Sequence, residues 1–73
     1  MHVAVYFRKQ HVANLRFAVC DNTWTLTAKE LLVEPTLEVD AAIQLAARDV
    51  QTDVFQPNGR RIQWNEVEYV AEP

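Results

Sequence analysis

One glycine, one cysteine, two histidines and three prolines occur in 73 residues, and each scarcity closes off a class of function. The glycine, Gly59, sits in Pro57-Asn58-Gly59, flanked by Phe55 and Ile62. Proline presets φ, asparagine tolerates a left-handed backbone and glycine supplies positive φ, so this run predicts a hairpin turn. A glycine used there leaves none for a phosphate-cradling loop. The lone cysteine, Cys20, allows no intrachain disulfide, which is ordinary for a cytosolic protein. Residues 1–9 have no basic region ahead of an apolar run, so no signal peptide is expected. No apolar stretch approaches the roughly 20 residues that cross a bilayer. The expected location is the cytoplasm.

The same scarcity limits chemistry. Nucleophilic catalysis needs Cys20 or a hydroxyl beside an oriented base, and the histidines are His2, next to the start, and His11, read as part of a turn. Cys20 is read as a partly buried thiol and both histidines as surface residues. Zinc needs ligands at characteristic spacing, and no C-x-x-C or H-x-x-x-H pair is present. Glu66 and Glu68 project to one side of a predicted strand and are read as solvated acids. No calcium loop of Asp and Asn around a glycine occurs. No catalytic residue, cofactor, metal or small-molecule substrate is expected, and the chain is read as a non-enzyme.

Apolar residues make up 49% of the chain, with two Trp, two Tyr and three Phe, enough to order a single domain over residues 1–73. His2, Ala4 and Tyr6 alternate with Val3, Val5 and Phe7, the period of a half-buried strand. Arg8-Lys9-Gln10-His11 reads as a turn, and Leu15, Phe17 and Val19 mark one face of a second strand. Asp21-Asn22 makes another turn before Thr23–Thr27, rich in β-branched and aromatic residues. Residues 28–34 read equally as a short helical turn, with Thr27 and Glu30 as a capping box, or as more of the third strand. A helix is predicted from Leu37 to Val50 or Gln51, capped by Thr36. Its buried stripe is Val39, Ala42, Ile43, Ala46, Ala47 and Val50, with Arg48 near its C-terminal end. Beyond it, Val54–Gln56 and Arg60–Trp64 pair across the Gly59 turn, and a bulge or tight bend at Asn65-Glu66 repairs a slip in alternation. The expected fold is α+β: a small antiparallel sheet, β-β-β-α-β-β, with one amphipathic helix on one face.

What remains is binding. Net charge is −3, against the basic excess typical of phosphate binders and mildly in favour of a basic partner surface. Small open sheets have edges to which a partner strand can add. Trp, Tyr and Arg are the usual interface anchors, so Tyr6, Arg8, Lys9, Trp24, Arg60, Arg61 and Trp64 are the candidate partner contacts. A second reading is a small RNA- or DNA-binding protein that uses the basic turns Arg8-Lys9 and Arg60-Arg61, with Tyr6, Phe7 and Trp64 available to stack on bases. No RNP-type or G-x-x-G signature accompanies them. A third is a self-assembling subunit that pairs strand edges.

In its small single domain, its β-rich meander with one alanine-rich helix and its lack of catalytic motifs, the chain resembles the very small phage proteins used against host machinery. These include inhibitors of host RNA polymerase and anti-CRISPR proteins. The resemblance is one of type and assigns no residue roles. It implies a stoichiometric binder of a bacterial nucleic-acid-processing complex, such as host RNA polymerase, acting in the host cytoplasm. Acidic side chains would face a basic surface of the target.

Overall fold

Alternation sets the first strand. Val3 and Val5 are buried while His2 is exposed, over a strand β1 at His2–Phe7. The structure, a computed structural model, describes residues 1–52, 61–64 and 66–72. After β1 come β2 (Gln10–Cys20), β3 (Thr23–Leu31), helix α1 (Leu37–Thr52), β4 (Arg61–Trp64) and β5 (Val67–Glu72). The strands form one antiparallel sheet in the order β3-β2-β1-β5-β4, with β1 at its centre. This is the expected α+β arrangement of a sheet with a helix across one face. The predicted Gly59 turn and the Val54–Gln56 strand lie outside the described residues.

The first turn is tighter than its sequence suggests. Phe7 pairs directly with Gln10, which leaves only Arg8 and Lys9 in the loop, at φ 51° and 66°. Positive φ at both central positions is the type I′ geometry that matches strand twist, normally supplied by Asn-Gly. Consequently His11 lies in β2, not in the turn, and β2 starts earlier than Leu15. Asp21 and Asn22 form the same kind of turn between Cys20 and Thr23, at φ 52° and 66°, with side chains that tolerate it better. Left-handed backbone costs an ordinary residue about 1–2 kcal/mol. Lys9→Gly relieves that cost, less the ~0.4–1 kcal/mol by which glycine favours the unfolded chain. The variant is expected to be about 0.5–1 kcal/mol more stable, a few degrees in Tm by thermal circular dichroism. An unchanged or lower Tm would show that the turn is not strained.

Two bulges, one in β2 and one in β3, shape the meander. Val5 pairs with Ala13 but Tyr6 pairs with His11, so Val12 is an extra residue. The bulge allows consecutive residues, Val12 and Ala13, to be buried together. It also brings Tyr6 and His11 side by side on the opposite, open face. A second bulge places Thr27 between Ala28, opposite Arg16, and Leu26, opposite Phe17; the Thr27 hydroxyl donates to the Arg16 carbonyl at 3.2 Å. The residues left ambiguous by sequence are therefore strand as far as Leu31, and no capping box forms. Pairing with β2 decides what local propensity does not.

Helix α1 follows its periodicity. The Thr36 hydroxyl accepts from the Val39 amide at 3.1 Å, an N-cap worth about 1 kcal/mol. Val39, Ala42, Ile43, Ala46 and Val50 are buried, and Ala47 is partly buried. They close over Val3, Val5, Leu15, Phe17, Tyr69 and Ala71 from the sheet. Arg48 is exposed and stands before the last turn, which has no basic residue. At 2.6 Å the Tyr69 hydroxyl donates to an Asp49 carboxylate oxygen, fixing the far end of the helix to β5.

The slip in alternation at Asn65-Glu66 is a reversal of the chain. Trp64 pairs with Val67, and Glu66 has φ 65°. Glu66 and Glu68 are thus not neighbours on one exposed strand face. Glu66 belongs to the turn, and Glu68, on β5 opposite Tyr6, is only 7% exposed.

Candidate functional site

The candidate residues separate onto different parts of the sheet. Arg8 ties three elements together. Its backbone amide donates to the Glu66 carbonyl at 3.0 Å, and its guanidinium bonds Glu66 at 3.1 Å and Glu38, in the first turn of α1, at 3.2 Å. The same guanidinium lies 4.8 Å from the centre of the Phe7 ring. The hydrogen bond to Glu66, followed by the charges of Glu66 and Glu38, raises its pKa above the usual guanidinium value, with desolvation opposing. These contacts give Arg8 an internal role in holding two turns and the helix start together. Lys9 beside it is exposed and makes no hydrogen bond or ion pair among the described residues.

Trp24 lies at the other end of the sheet, on the helix side. It is partly buried against the core and pairs across β2–β3 with Val19, which is 55% exposed. Beyond Phe17, among the described residues, β2 pairs only with β3, so this end of the hairpin stands clear of β1. Cys20 is exposed, not partly buried, because it alternates with Val19 and so falls with Arg16 and Ala18 on the face the helix does not cover. On the outer edge of β3, Thr23 to Ala28 carry no charge; Lys29 and Glu30 follow. Charge and a bulge are the usual guards of a strand edge. Here both occupy the inner half, and Thr23–Leu26 has neither.

Tyr6 is on the open face, where sequence reasoning missed its partners. The Tyr6 and His11 rings stack with centroids 4.9 Å apart and planes 23° from parallel. His11 is not a loose turn histidine. Its Nε2 lies 2.8 Å from Asn14 Oδ1, and Asn14 Nδ2 donates to Glu30 at 3.0 Å. The bond to Glu30 fixes the amide, so Oδ1 is the acceptor and Nε2 carries the hydrogen. The signal was hidden by the turn: once β2 is taken back to Gln10, His11 falls opposite Tyr6. Arg61 and Trp64 are in β4, Arg60 lies outside the described residues, and none of their side chains is described.

No group of three or more His, Cys, Asp or Glu that could hold a metal ion exists among the described residues. No helix among them is long and apolar enough to cross a membrane. No protein-family model matches the sequence, and no curated protein or solved structure is significantly similar to it.

Proposed function

We propose that the chain is a non-enzymatic protein-binding regulator whose working surface is the outer end of the β2–β3 hairpin. The observation that supports this most is the exposure of Val19 opposite Trp24, beside an uncharged, unguarded stretch of strand edge. A partner strand added to Thr23–Leu26 would gain backbone hydrogen bonds from the edge and cover the Val19–Trp24 pair with its own apolar side chains. The net charge of −3 favours a basic partner surface. Together with the resemblance in type to small phage proteins, these features support a host-directed inhibitor, with host RNA polymerase as first candidate target and a CRISPR effector as the alternative.

The test compares the wild type with Val19→Lys, an exposed position where a lysine leaves the core intact. Wild-type protein is expected to retain one stoichiometric partner from bacterial lysate and to inhibit purified RNA polymerase in a transcription assay. Val19→Lys is expected to lose both activities while keeping the wild-type Tm. Absence of any stoichiometric partner, or equal retention by the variant, would reject this surface.

A further inference from the structure

We propose that the open face of the sheet binds single-stranded nucleic acid, with a base stacked on Tyr6 and phosphates held by Arg16 and Lys9. This rests on a different face from the hairpin surface and is independent of it. A sheet face that only needs to be wetted is served by threonine, lysine and glutamate. Here a bulge, a stacked ring pair and a chain of hydrogen bonds from His11 through Asn14 to Glu30 are combined to hold one tyrosine ring in a fixed position. Fixing the ring in advance lowers the ordering cost of stacking a ligand on it.

The surroundings of the ring suit that ligand. His11 covers one flank of Tyr6, and on the β5 side a shallow concavity of about 480 Å³ is lined by Tyr6, Lys9, Glu68 and Val70. On the β3 side a second one, of about 260 Å³, is lined by residues that include His2, Arg16 and Lys29. By register Lys29, opposite Leu15, faces the helix side, so the described charges around the ring on the open face are Arg16 and Lys9 together with Glu30, Glu68 and Glu72. Arg16 pairs with His2, four residues along β1 from Tyr6, which places it about 13 Å from the ring at strand spacing. Lys9 stands at the other end of β1, so cations bracket the stacking position. Aromatic rings flanked by backbone-neutralising cations are how sequence-tolerant single-strand binders work, and duplexes do not expose a base face to such a platform. With Glu30, Glu68 and Glu72 on the same surface, stacking supplies the affinity and the two cations only position the backbone.

Fluorescence anisotropy with a short labelled oligothymidylate, the matching oligouridylate and a duplex of equal length tests this. Binding of the single strands at low salt is expected, with log K falling by only about 1–2 per decade of salt, the slope for two or so phosphates. Tyr6→Ala is expected to weaken binding about 5- to 100-fold, and Tyr6→Phe to leave it near wild type. Arg16→Gln, at an exposed position, is expected to lower both affinity and salt slope, so the test stands even if Tyr6→Ala fails to fold. Val19→Lys is expected to bind oligonucleotide normally, which separates this face from the hairpin. No single-strand binding at low salt would overturn the proposal. So would equal binding of the duplex, or unchanged affinity in Arg16→Gln and a folded Tyr6→Ala.

Discussion

Leu15→Ala is expected to remove a large part, up to most, of the chain's stability. Leu15 is fully buried at the middle of β2, between Val3 of β1 and Lys29 of β3, and belongs to the core beneath α1. Truncating such a leucine costs about 2–5 kcal/mol, the loss of transfer energy plus the cavity left behind. A chain of this length has on the order of 4–11 kcal/mol in total. The sheet cannot easily collapse into the gap, because the strands on both sides are held in register by hydrogen bonds. Urea unfolding should show the midpoint falling sharply with little change in slope. A midpoint close to wild type would mean that Leu15 is not at the centre of the packing.

The second large effect is expected at Tyr69. Its hydroxyl donates to Asp49 at 2.6 Å while its ring is 3% exposed, so one side chain both fills the core and anchors the helix. Tyr69→Phe keeps the ring and deletes the bond. Hydrogen bonds to charged groups contribute about 1.5–3 kcal/mol, and Asp49 is only partly buried, so a loss near the lower end is expected. A double-mutant cycle with Asp49→Ala isolates the pair; a coupling energy near zero would show that the contact adds nothing beyond packing.

Legibility in the sequence tracked how local the controlling physics was. The helix was readable because a threonine cap and a repeating apolar stripe are written within one segment. The Asp21-Asn22 turn was readable because those side chains favour left-handed backbone themselves. Arg8-Lys9 was not, since nothing in either residue announces positive φ; what holds the turn there is Arg8 bonding to Glu66 and Glu38, residues distant in sequence. That miss displaced the start of β2 and hid the Tyr6–His11 stack, the feature on which the nucleic-acid proposal depends. Residues 28–31 were undecidable for a similar reason, since their state is set by β2. Of the candidate site, Tyr6 and Trp24 were legible as candidate contacts, but not that they stand on opposite sides of the sheet, with Trp24 partly buried against the core.

The placement of β5 has a kinetic consequence. The β1–β2–β3 meander needs only neighbouring segments to meet, through turns of minimal length. Strand β5 must instead return across the whole intervening chain to bring Val67 beside Phe7 and Glu72 beside His2. Closing so long a loop costs entropy only logarithmically, but it makes the search slow. Until it ends, one flank of the central strand, with Val3 and Val5, is an unpaired template. A nascent chain is therefore most vulnerable to self-association in the interval before its last strand arrives.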